Sequence, residues 1–298
     1  MQGKVAMLVK SIDFNPVHGY WFTNFLLDRL RGLNKCVRTT LDLGVTESEI
    51  CVRGNVVEIG GLVLEIDDLR PSKDDGVVVV ETGDAGIRVY EVVKASGHGY
   101  YKLKAIGMDK APTIEINGIH MHRIMGIDPW KDTLLKIRAI NVGPGDVVLD
   151  TCMGLGYTSI ASLRKGVSIV YTFEIDENVV WIAERNPWSK ALADNRIVKY
   201  QDDVTKAVYE LPSEFFTKII HDPPRFTRST GQLYSEEFYR ELYRVLRKGG
   251  RLFHYTGEPG KHGRFNLFKG VKNRLERAGF INIYFDDEAM GFTAFKPR

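Results

Sequence analysis

Along the second half of the chain, apolar residues come in short unbroken runs. DVVLD (146–150), SIVYTFE (168–174), RIVKY (196–200), TKIIHD (217–222) and RLFHYT (251–256) form one series, and INIYF (281–285) and GFTAF (291–295) complete it. Between the runs, apolar residues recur at three- and four-residue spacing. This predicts helices over 156–165, 177–186, 235–247 and 264–278. Apolar strands that alternate with helices imply a mostly parallel sheet covered on both faces. Only DDEAM separates the last two runs, so they should close the sheet as an antiparallel hairpin.

The first third has a different rhythm. YWFTNFLLDRLRGL (20–33) has helical spacing, with Phe22, Phe25, Leu26, Leu30 and Leu33 on one side. Short β-type segments follow to about residue 107. They are broken at Arg53-Gly54-Asn55 and at Gly60-Gly61, as hairpins require. The chain therefore divides into a smaller β-rich domain (1–110), a connecting hairpin and helix (111–139) and an α/β domain (140–298). The front domain is expected to recognise substrate or to mediate oligomerisation.

Composition sharpens this picture in three places. The net charge is only +3, yet residues 225–298 hold fifteen Lys and Arg against eight Asp and Glu, a local +7. A basic surface suits a polyanionic partner; the plain alternative is an ion-paired, solvated face. Arg240, Arg244 and Arg247 lie on one helix side and could follow a phosphate backbone. Cys36, Cys51 and Cys152 are far apart in sequence, so three reduced thiols are expected. The start, MQGKVAMLVKSIDF, lacks the apolar core of a signal peptide, and no apolar run reaches bilayer length. A soluble cytoplasmic protein is the expectation. The sequence is compatible with a monomer or a homodimer.

Candidate chemistry gathers at the strand ends. DVVLDTCMGLGYTSIA (146–161) reads as strand, glycine turn and helix start. Gly154 and Gly156 would let the backbone approach a ligand, and Ser159 replaces the third glycine of a pyrophosphate cradle. Asp150, Glu174 and Asp203 (or Asp202) follow successive strands. An acid after the second strand binds ribose hydroxyls in open α/β sheets. Asp203 also fits as a plain helix cap. His120-Met121-His122 sets two histidines on one strand face, a weak metal signal.

The sheet, the "VLDTCMGLG" loop and TKIIHDPPRF (217–226) together resemble the class I S-adenosylmethionine (SAM)-dependent methyltransferases. The resemblance covers roughly 140–298 and implies a Rossmann-like domain with a seven-stranded sheet and SAM as cofactor. It implies cofactor contacts at Asp150, Thr151, Gly154, Gly156, Glu174, Ile175, Asp202 and Asp203. In related enzymes with a DPPY or NPPY motif, this stretch methylates an amide or an exocyclic amine on a planar ring. Asp222, Pro223 and Pro224 would then hold the amino group through its N–H donors. Arg225 stands where those enzymes carry an aromatic; its guanidinium could stack on a base or hold a phosphate, and Phe226 could supply the ring. The alternative is a solvated Arg225 on a loop shaped by the prolines. His221, Tyr234, His254 and Tyr255 complete the expected substrate wall, although His221 also reads as a strand-interior residue.

With the β-rich front, Asn186-Pro187-Trp188-Ser189 and HDPPRF, the whole pattern resembles an archaeal methyltransferase family. That resemblance implies N4-methylation of cytidine in small-subunit ribosomal RNA, with RNA as partner. LYSEEFYRELYRVLRKGG (233–250) and PTIEINGIHMHRIMGIDPW (112–130) also resemble spermidine synthases. These imply the alternative of aminopropyl transfer from decarboxylated SAM to a polyamine. Leu155, Tyr157 and Pro-Pro-Arg occupy places where those enzymes need acids, and an arginine repels a polycation. A binding module without catalysis is a third reading, disfavoured by the intact Asp222-Pro223-Pro224.

Overall fold

The structure, a computed structural model, describes residues 10–84, 86–257 and 265–298. Two compact units emerge. The front unit is Phe14–Asp132 with Asn178–Ala193; the second is Thr133–Glu177 and Asp194–Arg298 with the residues up to Asp13. The expected cuts at 110 and 139 follow the chain, whereas these units interleave along it.

In the front unit, β1 (Gly19–Phe22) and α1 (Asn24–Leu30) take the segment whose spacing predicts one helix over 20–33. Thr23 explains the break. It is extended, and its hydroxyl accepts from the Leu26 N–H, so the helix begins only after it. The strands β2 (Cys36–Thr39), β3 (Ser48–Arg53), β4 (Val56–Ile59) and β5 (Leu62–Glu65) form one antiparallel sheet. β1 pairs with β6 (Val78–Gly83), which pairs with β7 (Gly86–Glu91). β8 (Val93–Ser96), β9 (Gly99–Lys104), β10 (Thr113–Ile116) and β11 (Ile119–His120) form a further sheet. Phe22, Leu26, Leu27, Ile50, Val57 and Val80 share one core.

Cys36 lies opposite Cys51 across β2 and β3, and the two form a disulfide. This corrects the expectation of three reduced thiols. Antiparallel pairing folds a sequence separation of 15 residues back on itself, and Cys152 is the free thiol. The two histidines of HMH have ordinary strand partners: His120 Nε2 is 3.0 Å from Glu115 Oε2, and His122 Nδ1 is 3.0 Å from Thr113 Oγ1. Neither joins a metal-type cluster among the described residues. Residues 178–193 are fastened to this unit by tryptophans. Trp21 Nε1 donates to the Arg185 carbonyl (2.7 Å) and Trp188 Nε1 to the Leu43 carbonyl (2.9 Å), while the Trp188 ring packs on Trp130. The Asn186-Pro187-Trp188-Ser189 stretch therefore does structural work.

The division falls within α2 (Pro129–Ile140), whose residues from Thr133 onward belong to the second unit. Its strands are β12 (Val147–Asp150), β13 (Ile169–Phe173), β14 (Ile197–Tyr200), β15 (Phe216–His221), β16 (Leu246–Tyr255), β17 (Ile281–Asp286) and β18 (Gly291–Phe295). They form one sheet in the order β14-β13-β12-β15-β16-β18-β17. The first five run parallel, and β18 is antiparallel to both neighbours. This is the Rossmann-like fold of class I methyltransferases, with the antiparallel hairpin where DDEAM predicts it.

The helices are α3 (Tyr157–Arg164), α4 (Glu177–Glu184), α5 (Val204–Ala207), α6 (Glu236–Val245) and α7 (Phe265–Arg277). Residue 264, the expected start of the last helix, lies outside the described residues, as does most of the N-terminal stretch MQGKVAMLVKSIDF. Phe216, Leu242, Val245, Leu252, Val271 and Leu275 belong to one buried core. No helix among the described residues is long and apolar enough to cross a membrane.

Arg240 and Arg244 lie on α6, but the helix expected over 235–247 ends at Val245, so Arg247 lies in β16. Arg240 pairs with Glu236 (2.7 Å), and Arg247 donates to the Glu214 carbonyl (3.1 Å). Arg244 pairs with Glu241 and donates to the carbonyls of Val208 and Leu211, each at 2.8 Å. These arginines are thus ion-paired or bonded to backbone carbonyls, as the plain alternative expects.

Candidate active site

Because β12 to β16 are parallel, the residues that end them share one edge of the sheet. That edge is where open α/β sheets bind ligands. Asp150, Glu174, Asp202, Asp222 and Tyr255 all stand there.

Asp150 is fully buried. Its Oδ2 accepts from Thr158 Oγ1 (2.8 Å) and Ser159 Oγ (2.6 Å), which fixes the first turn of α3 to its strand. Burial pushes its carboxyl up to about 6; the two hydroxyls pull it down and the nearby Asp222 charge pushes the same way as burial. Gly154 (φ 52°) and Gly156 (φ 76°) occupy the left-handed region, where a side chain would be strained. They turn the loop so that the Gly154 N–H donates to Glu174 Oε2 (2.9 Å).

Glu174 also accepts from the Asp176 N–H (3.0 Å), and enclosure by the strand ends pushes its carboxyl up to about 7. Ile175, beside it, is 65% exposed and offers an apolar face. Of the two aspartates after β14, Asp203 is the cap of α5: its Oδ1 accepts from the N–H and the hydroxyl of Thr205. Asp202 Oδ1 accepts the Asp203 N–H at 2.7 Å. Each is engaged through Oδ1 by a neighbouring residue, so both remain candidate acceptors for a ligand. Thr151 is buried, with its Oγ1 2.7 Å from His221 Nδ1, and so supports the sheet rather than the loop's surface.

His221 and His254, expected on the substrate wall, are both wholly buried. They face each other across β15 and β16, with ring centroids 4.4 Å apart. His221 Nε2 lies 2.8 Å from the Leu233 carbonyl, and His254 Nε2 lies 2.6 Å from the Tyr239 hydroxyl. Burial lowers the His221 pKa to about 4 and moves His254 well below its ordinary value, so both are neutral at pH 7. They are a polar layer beneath the site. The strand's two-residue alternation explains this: if His221 points into the packed face, Asp222 points out of it.

Around Asp222 the chain is stiff. Pro223 is buried, and the Tyr234 hydroxyl donates to the Pro224 carbonyl (2.8 Å). Tyr234 is itself buried, so it braces the loop from behind. Phe226 packs edge-on against Tyr234 at 5.3 Å and is 51% exposed. The Arg225 carbonyl accepts from Thr230 Oγ1 (2.7 Å), while the side chains of Arg225 and Arg228 are exposed.

One member of the site escaped the sequence reading. Lys136 on α2 is 3% exposed, and its Nζ lies 2.6 Å from Asp222 Oδ2 and 4.2 Å from the centroid of the Tyr255 ring. The signal was present in KDTLLKIRAI. Thr133, Lys136, Ile137 and Ile140 fall at i, i+3, i+4 and i+7, which places the lysine on the buried face of its helix.

Over 230 residues the chain is 47% identical to the uncharacterized protein MJ1233 of Methanocaldococcus jannaschii, covering 76% of each. The chain belongs to the MJ1233 family. No family model matches it. This MJ1233-family chain is also 28% identical over 127 residues to a polyamine aminopropyltransferase of Prochlorococcus marinus, across 40% of this chain and 45% of that one. Among solved structures it resembles the spermidine synthase of Thermotoga maritima, with a TM-score of 0.54 and 19% identity over 72% of this chain and 76% of that one. At that identity the likeness is one of fold.

Proposed function

We propose that the protein is a SAM-dependent methyltransferase that acts on an exocyclic amino group of a nucleobase in RNA, with N4 of cytidine in small-subunit ribosomal RNA as the target. The observation that carries this reading is Asp222. It stands at the end of β15, beside the glycine loop's strand, on a stretch stiffened by two prolines and by Tyr234.

The residues at the edge fit the cofactor. A carboxylate has about four acceptor positions, so Glu174 can take ribose hydroxyls as well as its two backbone N–H groups. Asp203, or else Asp202, would accept from an adenine amino group, Ile175 would meet an adenine face, and the glycine turn would allow close approach of the backbone. When bound, SAM supplies an electrophilic methyl group. An exocyclic amine on an aromatic ring is a poor nucleophile because its lone pair is delocalised into the ring. Asp222 accepts its N–H donors and so turns the lone pair out of that conjugation toward the methyl group. Phe226 and the guanidinium of Arg225 provide faces on which an unstacked base can rest, and Arg225 and Arg228 offer charge to the phosphates.

The second reading, aminopropyl transfer to a polyamine, draws on the shared fold with spermidine synthases and on the Prochlorococcus relative. A labelled-methyl SAM assay against unmodified small-subunit ribosomal RNA and tRNA, run beside a polyamine assay with decarboxylated SAM, separates the two. Label in RNA, traced to a base by nucleoside mass spectrometry, is the expected result. An aminopropyl product with no methyl transfer would overturn it.

A further inference from the structure

A site that binds a cationic amine needs carboxylates whose charge is not already met. Asp222 is not such a carboxylate. Its Oδ2 is held at 2.6 Å by the ammonium of Lys136, a side chain with 3% exposure. The same ammonium lies 4.2 Å from the centre of the Tyr255 ring, so it also occupies the aromatic face that ends β16. The fold thus places a cation of its own against both groups that would attract one. Lysine is the compact, strongly charged choice for this, and burial strengthens its field.

Building on the amine-methylation reading above, we propose that Lys136 sets the charge selectivity of the Asp222 site, admitting a neutral amino group and rejecting a cationic amine. A neutral amino group needs only a lone pair from Asp222, and a carboxylate has about four acceptor positions. A protonated polyamine would have to sit beside the Lys136 ammonium in a partly desolvated site, where like charges repel strongly. Held this way, Asp222 orients the amine, and the proton released after transfer leaves to solvent. Lys136 acts through Asp222 and is a positioning residue.

The test is a gain of binding, which a merely damaged protein would not show. Spermidine would be titrated calorimetrically into the protein loaded with S-adenosylhomocysteine, which keeps the cofactor acids covered. The native protein and Lys136→Arg should show no saturable uptake. Lys136→Met should bind spermidine at least about tenfold more tightly, and the added change Asp222→Asn should abolish the gain. Methyl transfer to RNA should fall about a hundredfold in Lys136→Met through kcat rather than KM, with Lys136→Arg retaining most of it. Equal spermidine binding by the native protein and Lys136→Met would overturn the proposal, as would native binding that needs Asp222. If the native protein methylates no RNA while Lys136→Met gains spermidine, the nucleobase reading falls and the charge role stands. If it methylates RNA but Lys136→Met gains nothing, the charge role falls alone.

Discussion

Glu174 titrates near 7, whereas a free glutamate does so near 4.3; burial is the main cause and the Asp176 and Gly154 N–H groups oppose it. Ribose hydroxyls donate more strongly to the carboxylate than to the acid. Cofactor affinity should therefore weaken as pH falls through 7, by up to about tenfold per unit, and level off above it. The effect on folding has the opposite sign: because the native carboxyl holds its proton longer than the unfolded one, its ionisation costs stability as pH rises from the ordinary range to 7. Glu174→Gln should flatten most of the binding limb in calorimetric titrations between about pH 6 and 8; an unchanged slope would remove Glu174 from the ribose contact. Asp150, Glu174 and Asp222 were legible in the sequence because each directly follows an apolar run. The roles of His221 and His254 were less so, since whether a strand-end residue faces the crevice or the core depends on strand phase. Lys136 was missed because a lysine in a helix is ordinarily read as solvent-facing.

At the scale of elements, the brace to the β15 loop comes from Tyr234, in the 3-10 turn just before α6. Tyr234→Phe removes one hydrogen bond, to the Pro224 carbonyl, and keeps the ring against Phe226. It should leave cofactor affinity within about twofold and lower methyl-transfer kcat about tenfold or more, in line with the sensitivity of catalysis to small misplacements. Ser235 caps α6 by accepting the Phe238 N–H at 3.1 Å. Ser235→Ala should cost about 1 kcal/mol in urea unfolding. The alternating strands and helices of the second unit were readable because the helices carry buried stripes and the inner strands carry short apolar runs such as VVL, IVY and Ile219-Ile220. The first helix was over-extended in the sequence reading because Tyr20, Trp21 and Phe22 fit either period. Only the pairing with β6 and the cap at Thr23 decide between them.

At the scale of the whole molecule, the two units cannot be cut at one point in the chain, because residues 178–193 belong with the front. That interleaving was invisible in sequence, as was the Cys36–Cys51 bond, since both depend on partners far away along the chain. Thiol labelling of the native protein should mark Cys152 alone, and all three cysteines after reduction. Reduction should cost the front unit about 3 kcal/mol for a loop of this length; three reactive thiols without reductant would contradict the disulfide. The central claim is that Asp222 orients the acceptor amine. The most direct test compares the native protein with Asp222→Asn in single-turnover methyl transfer to RNA, with SAM binding measured in the same samples. We predict equal SAM affinity within about twofold and a transfer rate lower by about a hundred- to a thousandfold. Equal transfer rates would contradict the claim.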